Sequence, residues 1–214
     1  MQIMKFVEPL FESNAYVLLE DGYGIVIDPH NGQDWFQFLS KSNIRLECAI
    51  LTHEHYDHVS GLKDMRIKYP QCKVIASKAC SDGLLELPKH MQRTFKVYMH
   101  FLGKDNVEPP KECICEAADI CYEKEIKFDW HNNQIYCHVI PGHSKGSAYI
   151  RVNDTYVFSG DSLLKEKEIV TKFLGGDPQK FREDVMPIFK KMNSNYLIMP
   201  GHGDSFVLKE KIGG

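Results

Sequence analysis

Residues 52–58 read Thr-His-Glu-His-Tyr-Asp-His, which gathers His53, His55, Asp57 and His58 into one short segment. Imidazole nitrogen and carboxylate oxygen are good ligands for zinc and its transition-metal neighbours. His53 and His55 are two apart, so in extended backbone both rings point to the same side. Asp57 and His58 follow where a helical spacing begins, and they can face a second point in space. One segment can therefore serve two adjacent metals. The bland alternative is a solvated polar loop, but so dense a set of ligands is rare by composition alone. The zincin pattern, with histidines at i and i+4 on a helix, fails because position 57 is Asp.

Four further places carry residues of the same kind, each at the end of an apolar run. Asp28 closes one run and precedes Pro29-His30. His143 follows Pro141-Gly142, Asp161 follows Gly160, and His202 follows Pro200-Gly201. The glycines beside His143, Asp161 and His202 permit tight turns. Taken singly, each end is weak. Together they could converge on one edge of a sheet structure, and ligands at strand ends are usual in α/β proteins.

The elements that must position these residues are legible from periodicity. Strands are expected at 3–7, 14–20, 23–27, 48–51, 73–76, 125–130, 134–140, 148–152, 156–159 and 196–199, several of them paired across turn signals such as Asp21-Gly22 and Asn132-Asn133. Helical spacing predicts helices over 34–41, 57–69, 77–87 and 177–193, the last kinked at Pro187. Residues 88–118 mix Lys89, Arg93, Lys96 and Lys104 with Phe95, Tyr98 and Phe101. They read as a mobile or partly helical insertion, either a substrate lid or a surface excursion. No repeat or linker interrupts the chain, so residues 1–214 are expected to form a single domain.

Composition sets bounds on function. The hydrophobic fraction of 43% and charged fraction of 26% are those of an ordinary soluble protein. A net charge of −3 gives no global field favouring nucleic acid or an anionic membrane. No apolar run approaches the ~20 residues of a spanning helix. Residues 1–9 lack a signal-peptide pattern, and seven cysteines are odd in number, so reduced thiols in a cytoplasmic protein are expected. Cys113, Cys115 and Cys121 do not have Cys-x-x-Cys spacing and read as thiols rather than as a second metal site.

The residues H53-x-H55-x-D57-H58, P-G-H143, G-D161 and P-G-H202, in this order over about 10–205, resemble the metallo-β-lactamase-fold hydrolase superfamily. The resemblance implies an α/β (α+β) fold, a four-layer αββα sandwich with a dinuclear site at one edge. It implies that one metal takes His53, His55 and His143, that the second takes Asp57, His58 and His202, and that Asp161 bridges them. Asp28 matches the family's strand-end aspartate, which orients the metal loop from behind. The donor set suits two Zn²⁺ ions, with Fe or Mn as alternatives. Two such ions acidify a shared water and clamp an oxyanion. The implied reaction is attack of a metal-bound hydroxide on a carbonyl carbon or phosphorus, with Asp57 as a proton relay and Asp161 as the bridge. The family often has Gly at His30 and Pro at Lys145. His30 reads as a surface turn residue or a substrate contact, and Lys145 as a partner for a substrate anion or a solvated lysine.

The function expected from these residues is hydrolysis of a small-molecule thioester, ester or lactone, in the manner of a compact glyoxalase II-like protein. The chain stops soon after His202, without the helical region that helps glyoxalase II bind glutathione, which sets a hydroxyacylglutathione substrate in question. Phosphodiester cleavage is the first alternative, and the net charge disfavours it. An iron-dependent persulfide dioxygenase is the second, though it normally leaves empty the second site that this chain supplies with ligands. A small-molecule substrate is expected, with no membrane or nucleic-acid partner. Oligomeric state is open.

Overall fold

The computed structural model describes residues 1–101, 103–109, 115–173 and 175–212, with only the backbone described at 87–94, 98 and 101. The first half of the chain builds one sheet from β1 (Gln2–Val7), β2 (Asn14–Glu20), β3 (Tyr23–Ile27), β4 (Arg45–Ile50), β5 (Lys73–Ser77) and β6 (Ile120–Tyr122), in that spatial order. The second half builds another from β7 (Glu125–Trp130), β8 (Asn133–Val139), β9 (Ala148–Val152), β10 (Tyr156–Gly160), β11 (Leu197–Pro200) and β12 (Phe206–Val207), in the order β12-β11-β10-β9-β8-β7. β1 to β3 form an antiparallel meander, and β3 to β6 are parallel.

The layers follow from alternation along the strands. In β2, Tyr16 and Leu18 face one way and Ala15 and Val17 the other. Tyr16, Leu18, Ile25, Ile27 and Ile50 of the first sheet pack against Ile135, Cys137, Ile150 and Phe158 of the second, filling the space between the sheets. Ala15, Val17, Val26, Ala49 and Val74 point outward under α1 (Gln33–Ser42), α3 (Leu62–Lys68) and the start of α4 (Lys78–Phe101). On the far side Tyr149, Val157 and Ile198 are covered by Phe181, Val185 and Phe189. The result is the expected αββα sandwich. Among the described residues no helix is long and apolar enough to cross a membrane.

Three helices differ from the periodicity. The helix expected over 57–69 is two pieces, α2 (Tyr56–Val59) and α3, because the Gly61 amide turns away to donate to Pro29 O at 2.8 Å. The helix expected to end at 87 runs on as α4 to Phe101, so the first part of the expected insertion is regular. Its far end is held by burial of Phe95 and Met99 against Phe11, which no local pattern announces. The helix expected over 177–193 is α5 (Pro178–Lys180), a π-helical turn (Phe181–Val185) and α6 (Met186–Lys191). Pro187 has no amide hydrogen to return to the preceding turn, and the wider π turn absorbs that loss where a kink was expected. Two short elements after β11, β12 and α7 (Lys209–Ile212), carry too few residues to show a period.

Candidate metal centre

Five strand ends meet at one rim of the sandwich. β3 delivers Asp28, β4 delivers the 52–58 segment, the turn after β8 delivers His143, β10 delivers Asp161 and β11 delivers His202. One nitrogen from each of His53, His55 and His143 lies within 4.8 Å of the others. Ligand atoms of Asp57, His58 and His202 form a second group within the same limit. Asp161 stands between the groups. Its Oδ1 is 3.5 Å from His58 Nε2, and its Oδ2 is 3.4 Å from His202 Nε2 and 3.7 Å from His143 Nε2.

The imidazoles are oriented from behind. His143 Nδ1 donates to Val170 O at 2.7 Å and His202 Nδ1 to Glu12 O at 3.0 Å. His58 Nδ1 donates to Asp28 Oδ2 at 3.2 Å. Thr52 Oγ1 gives its one proton to Asp28 Oδ2 at 2.6 Å, so at 3.0 Å it must accept from His53 Nδ1. With Nδ1 committed as a donor in all four rings, Nε2 is the atom each ring turns toward the centre. His55 is the exception: it presents Nδ1, 3.0 Å from His143 Nε2.

Asp28 has left-handed backbone, φ 52°, and is buried. It also accepts from Thr52 N–H at 2.7 Å. Asp28, His53 and His58 are close enough to be read as a third ligand group. The Asp28 oxygens are already taken by Thr52 and His58, so this carboxylate holds the segment in place. The close approach at the centre also needs Gly201, because a Cβ there would meet Asp161 Oδ1 and come 2.9 Å from His58 Cε1.

Burial pushes the His53 imidazole well below its ordinary pKa and the His143 imidazole down to about 4, with neighbouring histidines adding to both shifts. Burial acts the same way on His58 and His202, but Asp57 and Asp161 overcome it, raising His58 well above the usual range and His202 to about 10. Asp57 and Asp161 are correspondingly held well below the carboxylate range: burial opposes this, and His58 and His202 prevail. The rim is thus a place where cationic charge is favoured beside the two carboxylates.

Do these residues fit metal ions? His53 Nε2, His58 Nε2 and Asp161 Oδ1 are buried and have no hydrogen-bond partner. Buried polar atoms are almost always paired. Three buried nitrogen and oxygen atoms without partners, and no thiolate among them, suit a divalent cation with nitrogen and oxygen preference. The histidine and aspartate clusters are therefore suited to a dinuclear metal site.

The structure brings together all seven residues expected to ligate metal and places Asp28 behind them. It does not bring His30 to the surface. The His30 ring is 1% exposed, with Nε2 3.1 Å from Phe6 O and Nδ1 accepting from Gly32 N–H at 3.1 Å. The exposed-turn reading is corrected: the ring is spent on folding the 28–32 turn back under β1. Lys145 is exposed on the turn that follows His143. Cys113 lies outside the described residues, and Cys121 is an exposed thiol in no disulfide. Two contributors escaped the sequence. The carbonyls of Val170 and Glu12 are backbone groups that leave no trace in residue type. Alternation sends the Glu54 side chain away from His53 and His55, but its contacts with Ser144 and Gly146 appear only in the fold.

Fold and rim together define an αββα sandwich with a site suited to metal ions. The chain belongs to the metallo-beta-lactamase superfamily, whose family model matches residues 9–202. It is 35% identical over 77 residues to a hydroxyacylglutathione hydrolase of Francisella tularensis subsp. novicida, a match covering 36% of this chain and only 31% of that relative. It is 23% identical over 205 residues to the probable metallo-hydrolase YqgX of Bacillus subtilis, covering 94% of this chain and 90% of the relative. Among solved structures, the BLEG-1 B3 metallo-beta-lactamase superposes with a TM-score of 0.79 at 19% identity, over 100% of this chain and 97% of that one. At such identity the likeness speaks for the fold alone.

Proposed function

We propose that this protein is a metal-dependent hydrolase that cleaves a small-molecule thioester, ester or lactone, with two divalent ions, Zn²⁺ first among them. The observation that carries the reading is the Asp161 carboxylate, within 3.7 Å of Nε2 atoms from both ligand groups. His53, His55 and His143 would hold one ion, Asp57, His58 and His202 the other, and Asp161 both. Ions at such a site acidify water and polarise the bond under attack. The chain's own residues do the rest. Asp28, Thr52, Val170 and Glu12 fix the ring orientations, which preorganises the site. Asp57, whose Oδ2 lies 3.2 Å from His202 Nε2, is ionised and would have to take up a proton before relaying it to a leaving group. Lys145, exposed on the His143 turn, would meet an anionic part of the substrate.

The partial likeness to a hydroxyacylglutathione hydrolase supports a thioester over the alternatives. Buried free thiols at Cys48, Cys72, Cys80 and Cys137 support a reducing, cytoplasmic setting. The test is elemental analysis of the purified protein coupled to a hydrolysis panel of thioesters, lactones, phosphodiesters and persulfides. Two equivalents of metal and a kcat/KM highest on a thioester or lactone are expected. Turnover confined to phosphodiesters or persulfides would overturn the reading.

A further inference from the structure

We propose that Glu54 is a positioning residue that clamps the His143 turn to the His53–His55 segment and thereby sets the geometry of the first ligand group. The inference rests on the reading of His53, His55 and His143 as metal ligands. Glu54 lies between two of them, and alternation in extended backbone directs it away from the ions. It reaches the 144–147 turn instead. Glu54 Oε2 accepts from Ser144 Oγ at 2.9 Å, and Oε1 accepts from Gly146 N–H at 3.3 Å.

The turn is shaped to receive it. Ser147 Oγ accepts from Ser144 N–H at 3.0 Å and lies 2.9 Å from Ser144 Oγ, so the two hydroxyls form a chain ending on the carboxylate. Position 146 has no room for a side chain, because a Cβ there would run into Glu54 Oε2 and the Cys80 backbone. Gly146 O accepts from Ser77 Oγ at 2.8 Å, which ties the turn to the end of β5 as well. His143 is the residue next to Ser144, and its Nε2 lies 3.0 Å from His55 Nδ1, the residue next to Glu54. The ligand pair His55–His143 is thus flanked along the chain by the bonded pair Glu54–Ser144.

The hypothesis assigns the effect to hydrogen bonds, so glutamine should replace glutamate. Its Oε1 can accept from Gly146 N–H, and its amide can donate to Ser144 Oγ, which can then donate to Ser147 Oγ. An alanine frees the turn. Removing partners that orient ligands typically weakens metal binding about 10- to 100-fold.

The experiment is titration of the metal-free full chain with Co²⁺, following stoichiometry, affinity and the visible d–d spectrum, for the wild type, E54A, E54Q and S144A. Circular dichroism confirms folding of each. E54A is expected to lose about 10-fold or more in affinity for one of two Co²⁺ ions, with a changed spectrum. S144A is expected to show a smaller change in the same direction, and E54Q to match the wild type. If E54A is poorly folded, the comparison of S144A and E54Q still decides. Unchanged affinity and spectrum in E54A and S144A would overturn the clamp, as would an E54Q variant as weak as E54A. A wild-type chain that binds no Co²⁺ would overturn the ligand reading beneath it, whatever the variants do.

Discussion

Asp28 and His58 come from different elements, the end of β3 and the middle of α2, and they meet through a 3.2 Å hydrogen bond in which the carboxylate accepts from Nδ1. The same carboxylate holds Thr52 through two further bonds, of 2.7 and 2.6 Å. One buried side chain on a left-handed turn therefore fixes both ends of the 52–58 segment. The inward direction of His58 Nε2 is a consequence of this contact and is not a preference of α2 itself.

Replacing Asp28 with Asn should keep the turn, since Asn tolerates left-handed backbone, but leave one of the three donors facing an amide NH₂. An unsatisfied buried donor costs about 1–3 kcal/mol. We expect a lower melting temperature and metal binding weaker by about 10- to 100-fold. Calorimetry and chelator competition would measure the two effects, and an unchanged metal affinity would contradict the orienting role.

Asp161→Ala should remove a ligand from both groups at once. Metal content after dialysis should fall below two equivalents, and activity should fall with it. Elemental analysis beside steady-state kinetics makes the comparison. Full activity with both ions retained would show that the carboxylate does not bridge.

The metal-free protein should have a stability maximum in pH. His143 titrates lower folded, at about 4, than its ordinary 6.5, so its contribution is present above 6.5 and lost as pH falls through 4. His202 has the opposite shift, to about 10, so its contribution is present below 6.5 and lost as pH rises through 10. Melting temperature of chelator-treated protein should peak near pH 6.5 and drop by about 5 °C or more toward pH 10. Metal loading displaces those protons and should remove the alkaline decline. A flat profile for the metal-free chain would count against these charge states.

Gly201→Ala introduces a Cβ against Asp161 Oδ1 and His58. Overpacking of this kind costs about 1–3 kcal/mol, and here it falls on two ligands. Loss of metal should exceed what the drop in melting temperature alone would explain. An alanine variant with wild-type metal content would mean that the rim can yield.

Lys145→Ala should raise KM for anionic substrates by about two- to fivefold, the scale of one exposed ion pair, and leave kcat unchanged. Neutral esters of the same acyl group serve as the control. Equal changes on both would retire the lysine as an anion contact.

Residue type and spacing were enough to single out His53, His55, Asp57, His58, His143, Asp161 and His202 as residues that meet at one rim, because few side chains favour metals and strand ends are announced by apolar runs and glycines. They were enough for the layers too, since alternation in strands such as β2 records which face is buried. Sequence could not place His30, whose burial depends on β1 folding over its turn, or the end of α4, which is held by Phe11 from a distant loop. Nor could it supply the carbonyls of Val170 and Glu12 or the reach of Glu54 to Ser144 and Gly146. The chain's chemistry is written in which side chains it carries. The tautomers of His58, His143 and His202 are set by partners 27 to 190 positions away, and only the folded chain brings those partners within hydrogen-bond distance.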